Sequence, residues 1–205
     1  MRTVNVFTDW LYEWDCPEDI LSIAQSHAYS AQYHTAPKNQ TSYPEQFFGD
    51  DFDPVREWID GCLHETKLDL GMECDTVKST VVWTTKSEKG QWHHTHKHGF
   101  SVFSGVLYLT PSGSETWFSR ESVWSNDYTG VAIHNAERST LMFKRKTEVG
   151  KMLVFPSGLY HSVTEHDLDT PRHTLSFNSF PSGQIGSYSE HYSRRLLHIT
   201  VNQKQ

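Results

Sequence analysis

Cysteine is scarce in this sequence, positive charge is in the minority, and long hydrophobic runs are missing. The three cysteines, Cys16, Cys62 and Cys74, are odd in number and form no CxxC pair. This usage excludes a disulfide framework and is typical of a reducing compartment. No stretch has the length and apolar character of a membrane span, and the N-terminal residues build no apolar secretory signal. We therefore expect a cytoplasmic protein with no membrane partner.

Basic residues are outnumbered by acidic ones. Lysine and arginine total 18, aspartate and glutamate total 25, and the net charge is -7. Such a balance offers no basic surface for the phosphate backbone, so we expect no nucleic-acid partner. The substrate, a small molecule or a protein, stays open. The aromatic stretch from Trp117 to Tyr128 is a candidate contact for a homodimer.

The chain is long enough for one domain. It has 205 residues, of which 36% are hydrophobic and 13% aromatic, which suffices to fill one core. We predict a single domain over residues 1–205. Its predicted parts are a helical N-terminal layer at 1–78, a β-rich core at 79–180 and a C-terminal extension at 181–205.

Two amphipathic segments precede the β-rich region. The first runs from Pro17 to Ser30, with apolar residues at helical spacing and acidic residues in its first turn, which predicts a helix. The second helix has Asp53 as its predicted N-cap and Pro54 at its first position, and it ends at Gly71. Between the two, residues 34–51 are rich in Pro, Asn, Gln and Ser, which predicts a loop.

From residue 79 onward the sequence changes character. Short runs rich in Val, Thr, Tyr, Phe and Trp are separated by Gly, Pro, Ser and Asn, a pattern typical of strands and turns. Eight such runs indicate a mainly β, jelly-roll-like core with the N-terminal helices packed on its outside. The predicted strands lie at 80–85, 100–110, 115–120, 140–144, 151–155, 162–165, 172–180 and 196–201.

Histidine is the unusual residue type, with 13 in the chain and four within six residues, His93, His94, His96 and His98. In an extended segment, side chains two residues apart point to the same side, so His96 and His98 are candidates to bind one metal ion. If the strand begins earlier, the same alternation places His94 on this face as the most credible substitute ligand. His161, at the start of a later strand, is the third candidate, although taken alone it favours a structural histidine.

Arg172 begins a strand in which polar and apolar residues alternate. Arg172, Thr174 and Ser176 fall on one face, and Leu175 and Phe177 fall on the other. A guanidinium inside a barrel is costly unless it meets an anion, and its planar geometry suits a carboxylate. That anion is either a bound ligand or an Asp or Glu of the chain itself.

Four motifs, in this order along the chain, resemble the 2-oxoglutarate and Fe(II)-dependent oxygenases found in bacteria and phages. They are Gly90–His98, Ser104–Leu109, the run from Gly150 through Val163, and Arg172–Asn178. The resemblance covers residues 80 to 180 and says little about the rest of the chain. It implies a double-stranded β-helix, the cupin-like form of the jelly roll, which holds a ferrous ion near one open end.

The resemblance also implies the metal ligands. His96 matches the first ligand, His161 matches the distal one, and His98 stands where these oxygenases usually have an aspartate. Either the centre has three histidine ligands, which we favour, or His98 is a bystander and another group completes the shell. An imidazole lacks the negative charge of a carboxylate, so a three-histidine centre would hold iron less tightly.

Three further residues match cosubstrate-binding positions of these oxygenases. Arg172 corresponds to the arginine that binds the remote carboxylate of 2-oxoglutarate, and Thr174 to the small hydroxyl residue two positions later. Tyr108 corresponds to a tyrosine that donates to the same carboxylate, although a strand tyrosine with its hydroxyl at the rim is an alternative interpretation.

The implied activity is oxidation of 2-oxoglutarate to succinate and CO2 coupled to hydroxylation of an unidentified substrate. His96, His98, His161 and Arg172 are the implied catalytic residues, with Fe(II), 2-oxoglutarate and O2 as cofactor and cosubstrates. Two alternatives stay open at this point. One is a cupin-like three-histidine metalloenzyme that does not use 2-oxoglutarate, and the other is a non-catalytic binding module in which a metal ties strands together.

Overall fold

A computed structural model describes residues 10–36, 38–43, 47, 49–119, 142–185 and 197–201. These residues form two α-helices and twelve β-strands. The helices are α1, Glu18–Ser30, and α2, Asp53–Asp69. The strands are β1, Tyr12–Asp15; β2, Tyr33–Ala36; β3, Asn39–Ser42; β4, Cys74–Ser87; β5, His93–His96; β6, Phe103–Tyr108; β7, Glu115–Ser119; β8, Met142–Lys146; β9, Lys151–Pro156; β10, Tyr160–Val163; β11, Arg172–Ile185; and β12, Leu197–Ile199.

The strands form two antiparallel sheets. The large sheet has the order β1-β9-β6-β11-β4-β3-β2, with β12 paired to the end of β11, and the small sheet has the order β5-β10-β7-β8. The sheets face each other, because Phe118 of β7 packs edge to face on Phe155 of β9 with ring centroids 4.9 Å apart. Tyr108 and Thr116 also share a hydrogen bond across this space, at 2.7 Å between their hydroxyl oxygens. The mainly β, jelly-roll fold with outer helices is confirmed.

Alternation along the strands separates the core from the site. In β9, Met152 and Val154 pack into the main hydrophobic core beneath α1 and α2, whereas Leu153 and Phe155 point into the space between the sheets. Side chains of successive strand residues point to opposite faces, so one face of the large sheet holds the helices and the other lines the site. Within the described residues, neither helix has the length and apolar character needed to cross a membrane.

All eight predicted strands are found, although the start of the one predicted at 140–144 lies outside the described residues. The loop predicted at 34–51 is wrong in part, because β2 and β3 form a hairpin there that extends the large sheet. Its residues are polar and show no apolar alternation. Their order comes from tertiary pairing, since Gln40 and Thr41 pair with β4 and the hydroxyl of Ser42 accepts a hydrogen bond from the backbone N–H of Thr84 at 2.9 Å.

The predicted N-cap of the second helix is wrong by one residue. Phe52 is the N-cap, and Asp53 is already the first helical residue. A turn at Gly49 accounts for the shift, because its carbonyl oxygen accepts hydrogen bonds from the backbone N–H groups of Phe52 and Asp53. The carboxylate of Asp53 therefore interacts with the positive end of the helix from within its first turn.

Gly105 in β6 leaves space for a core side chain. A Cβ atom at this position would lie 2.1 Å from the ring of Phe177, which is completely buried on the neighbouring strand. We expect Gly105→Ala to lower the free energy of unfolding by about 1–3 kcal/mol, because the ring must leave its packed position. Urea denaturation at equilibrium measures this change.

Gly61 provides the matched control, since nothing lies within 4 Å of an added Cβ at this position of α2. Gly61→Ala should raise the free energy of unfolding by about 0.5–1 kcal/mol through helix propensity alone. If the Gly105 and Gly61 variants shifted stability in the same direction, the close packing of Phe177 against β6 would not be a structural constraint.

Candidate metal centre

Strand pairing brings together histidines that are distant in sequence. β5 and β10 run antiparallel with His96 directly opposite His161, and their ring centroids lie 4.2 Å apart. His98 follows the end of β5, and its backbone N–H donates to the carbonyl oxygen of Ser157 at 2.9 Å. This bond holds the segment after β5 against the turn that precedes β10. One nitrogen atom from each of His96, His98 and His161 lies within 4.8 Å of the other two.

The spacing of these nitrogens fits a metal ion. The Nε2 atoms of His98 and His161 are 3.2 Å apart. Two nitrogens bound to one ion at about 2.1 Å and at right angles to each other would be about 3.0 Å apart. The observed distance therefore matches two adjacent positions of one coordination shell.

Backbone carbonyls fix the orientation of two of the rings. The Nδ1 atom of His96 lies 2.8 Å from the carbonyl oxygen of His94, and the Nδ1 atom of His161 lies 3.1 Å from that of Leu159. A carbonyl oxygen can only accept a hydrogen bond, so each Nδ1 carries the proton and each Nε2 keeps its lone pair. The tautomer that a metal requires is thus set before any ion binds.

Burial keeps these imidazoles neutral. Desolvation is the largest cause at each ring, and it lowers the pKa of His161 to about 3, that of His98 to about 4 and that of His96 below its ordinary value. The charges of neighbouring imidazoles lower the pKa values further. At pH 7 all three rings are therefore in the unprotonated form that binds a metal ion.

A β-bulge in β5 decides which other histidine joins the cavity. His96 pairs with His161 and His93 pairs with Val163, so a three-residue step on β5 faces a two-residue step on β10, and the alternation of side chains is interrupted. His93 and His96 consequently share one side and stack with ring centroids 4.4 Å apart. His94 is exposed and lies outside both the cavity lining and the three-histidine group, so its expected place on the ligand face is wrong.

Arg172 is a buried cation without an acidic partner in the described part of the chain. Its side chain is 2% exposed, and Nη2 donates to the hydroxyl of Ser87 at 2.9 Å, while Nε and Nη1 have no hydrogen-bond partner there. Burial lowers its pKa to about 10, with the charge of Tyr108 acting in the opposite direction, so the group stays charged at pH 7. An isolated buried charge is expensive, and the N–H groups on these two nitrogens are available to a carboxylate.

Tyr108 and Thr174 lie beside this guanidinium. They pair directly across β6 and β11, and both are buried and line the same cavity. The phenol of Tyr108 is inside the barrel, not at the rim, and burial raises its pKa to about 12. It therefore remains a hydrogen-bond donor at any physiological pH. Thr116, which shares a hydrogen bond with it, was not singled out by the sequence.

One cavity contains all six predicted site residues, and none of its described lining residues is acidic. Three neutral nitrogen donors in one part of the cavity suit Fe(II). The unpaired guanidinium in another part suits one carboxylate of a dicarboxylate whose other end reaches the metal. The residues present therefore fit both a ferrous ion and 2-oxoglutarate. The lining consists of Trp83, Thr85, His93, His96, His98, Ser104, Gly105, Val106, Tyr108, Thr116, Phe155, His161, Val163, Arg172, Thr174, Ser176 and Phe177.

Fold and site together describe a double-stranded β-helix with three imidazoles that fit a metal ion and a buried guanidinium that fits an anion. Residues 81–178 match the model of a family described as putative 2OG-Fe(II) oxygenase. These residues include the whole cavity lining. Over this stretch the chain is similar to the 2OG-Fe(II) oxygenases, enzymes that use Fe(II), 2-oxoglutarate and O2.

Solved structures with the same fold are distant in sequence. A prolyl-4-hydroxylase from Pseudomonas putida has a TM-score of 0.62 at 14% identity, over 86% of this chain and 95% of that one. HygX from Streptomyces hygroscopicus, solved with nickel, 2-oxoglutarate and hygromycin B, has a TM-score of 0.58 at 10% identity, over 85% and 84%. SnoN, an α-ketoglutarate-dependent epimerase from nogalamycin biosynthesis, has 0.64 at 10% identity, over 85% and 77%. No curated protein sequence matches the chain.

Some residues considered from the sequence lie outside the described part of the chain. They include residues 120–141, so most of the aromatic stretch proposed as a homodimer contact cannot be placed. The sequence analysis gave no site role to several lining residues, among them His93, Thr116 and Trp83. Period-2 alternation in β4 and β7 would have found the last two, whereas the bulge that turns His93 inward leaves no signal in the sequence.

We expect His98→Ala to weaken Mn(II) or Fe(II) binding by at least about tenfold, because one of three nitrogen donors is lost. His94→Ala is the matched control, and its affinity should equal that of the wild type since this neighbouring ring lies outside the cavity. Anaerobic isothermal titration calorimetry measures both. An unchanged affinity in the His98 variant would make His98 a bystander to the metal.

Proposed function

We propose that the protein hydroxylates a C–H bond of its substrate. In this reaction one oxygen atom of O2 enters the substrate as a hydroxyl group, and the other enters the cosubstrate as 2-oxoglutarate loses CO2 and becomes succinate. The observation that carries the proposal is the buried, unpaired guanidinium of Arg172 in the same cavity as three neutral imidazoles. Hydroxylation does not follow from the fold alone, because the structural relative SnoN is an epimerase.

The ligand set of the proposal is His96, His98 and His161. Iron(II), when bound, supplies the electrons that activate dioxygen, which protein side chains cannot provide. The surrounding side chains hold the rings in place. Phe155 packs edge to face on His161 with centroids 4.8 Å apart, and Trp83 lies 5.8 Å from His98. These aromatic walls also keep water away from the reacting atoms.

The cosubstrate anchor of the proposal is Arg172 with Tyr108 and Thr174. Unpaired N–H groups of the guanidinium and the phenol hydroxyl donate to the remote carboxylate, and the fixed anchor turns the 2-oxo acid end toward the three histidines. An acid partner in the chain would have cancelled this charge. Because none pairs with Arg172 in the described residues, the anchor favours a cosubstrate-dependent enzyme over a three-histidine enzyme that needs no 2-oxoglutarate.

The proposed compartment is the cytoplasm. Cys16, Cys62 and Cys74 are free thiols, and burial raises the pKa of Cys62 to about 12. Thiols in this state, like ferrous iron, persist in a reducing environment.

Anaerobic addition of 2-oxoglutarate to the Fe(II) protein should produce a visible charge-transfer band, and admission of O2 should produce succinate. Arg172→Leu should raise the KM for 2-oxoglutarate roughly a hundredfold, because a charge-assisted pair is lost. With 18O2, one labelled atom should appear in succinate, and a hydroxylated product should gain the other.

The control is a variant on the opposite face of the same strand, His173→Gln, which should keep the wild-type KM. His173 is buried outside the cavity and hydrogen-bonds to Tyr33 at 3.2 Å. A metal-dependent turnover rate that is the same with and without 2-oxoglutarate would contradict the proposal and support the three-histidine enzyme that does not use 2-oxoglutarate. Succinate formation without oxygen transfer to any product would argue against hydroxylation and for a reaction of the epimerase kind.

A further inference from the structure

His93 lies in the cavity without a role in the reaction described so far. The bulge in β5 turns its ring to the side of His96, on which it stacks at an interplanar angle of 30°. It lines the same cavity as Arg172 and Tyr108. Within the described part of the chain, no group hydrogen-bonds to its ring nitrogens.

Strand register places His93 on the Arg172 side of the metal ligands. His93 pairs with Val163, and Val163 pairs with Thr116, whose hydroxyl hydrogen-bonds to Tyr108. The metal ligands lie where His96 of β5 faces His161 of β10. His93 lies farther along β5, in the direction of Tyr108 and Arg172. A 2-oxo acid that reached from the three histidines to Arg172 would therefore pass beside His93.

The cavity offers more hydrogen-bond donors to one end of 2-oxoglutarate than to the other. The remote carboxylate has the free N–H groups of Arg172 and the phenol of Tyr108. At the other end, the carboxylate beside the keto group would lie near the metal ligands, and one of its oxygens would stay available if the acid chelated an ion. His93 stacks on one of those ligands, and an imidazole carries an N–H donor in either tautomer.

We propose that His93 is a cosubstrate-binding residue that donates a ring N–H to the carboxylate adjoining the keto group of 2-oxoglutarate. The proposal rests on the function proposed above, since it assumes that 2-oxoglutarate spans the cavity. In this proposal His93 has a role different from that of the three metal ligands, and the bulge in β5 is what points its ring into the cavity. Without the bulge, His93 would point away from the side of His96 and the donor would be lost.

Calorimetric titration of Mn(II)-loaded protein with 2-oxoglutarate tests this role without turnover. His93→Phe keeps a ring that can stack but removes the donor, and it should weaken binding about tenfold, as expected for a lost hydrogen bond to a charged group. His93→Gln returns a donor and should recover affinity to within about threefold of the wild type. His94→Phe, the same change at the exposed neighbour, should have no effect.

A second ligand decides which carboxylate His93 holds. 2-Oxobutyrate has the keto acid end and lacks the remote carboxylate, so His93→Phe should weaken its binding by the same factor as for 2-oxoglutarate. Arg172→Leu should by contrast affect only 2-oxoglutarate. Equal Mn(II) affinity in the wild type and all His93 variants is expected as well.

Three results would overturn the proposal. Unchanged 2-oxoglutarate affinity in His93→Phe would leave the ring as packing alone, and a parallel loss of Mn(II) affinity would make it a metal ligand or its support. A penalty that disappears with 2-oxobutyrate would move His93 to the remote carboxylate. Wild-type protein that takes up Mn(II) but no 2-oxoglutarate would instead disprove the proposed function, and this assignment with it.

Discussion

The antiparallel pairing of β5 with β10 is the interaction on which the site depends. It sets His96 opposite His161, and a hydrogen bond from the backbone of His98 to Ser157 brings in the third ring. Neither strand belongs to the large sheet that carries the hydrophobic core. The core therefore supplies a rigid wall, and the short strands opposite that wall carry the ligands.

Charge explains why this cavity is suited to a ligand and not to packing alone. Arg172 is almost completely buried, stays charged at pH 7 and has two nitrogen atoms, Nε and Nη1, without hydrogen-bond partners in the described residues. Leaving such a group unpaired destabilises the folded protein, and the cost reaches several kcal/mol for an ion taken out of water. Binding of a carboxylate to Arg172 removes this unfavourable free energy. The destabilisation of the free protein therefore contributes to the affinity for the cosubstrate.

Much of the fold could be predicted from the sequence because it follows from regular alternation, whereas the roles of the site residues were implied by the resemblance to a known family. In β11, Arg172, Thr174 and Ser176 line the cavity and Leu175 packs in the core, as a period of two requires. The hairpin at Gln40 and Thr41 could not be predicted, since backbone pairing with β4 orders polar residues that have no pattern of their own. The inward turn of His93 was equally hidden, because a bulge breaks the rule that the prediction used.

The imidazole of His98 in the place of a carboxylate has a consequence for the order of binding. A ferrous ion held by three neutral rings would keep its double positive charge, and the guanidinium of Arg172 adds one more positive charge to a cavity whose described lining has no acidic residue. The two positive charges repel each other, so metal binding is less favourable when no carboxylate is present in the cavity. A dicarboxylate that contacts both relieves this repulsion. Binding free energies are reciprocal, so 2-oxoglutarate must tighten the hold on iron as much as iron tightens the hold on 2-oxoglutarate. An aspartate at position 98 would partly neutralise the charge of the ion and so weaken that coupling.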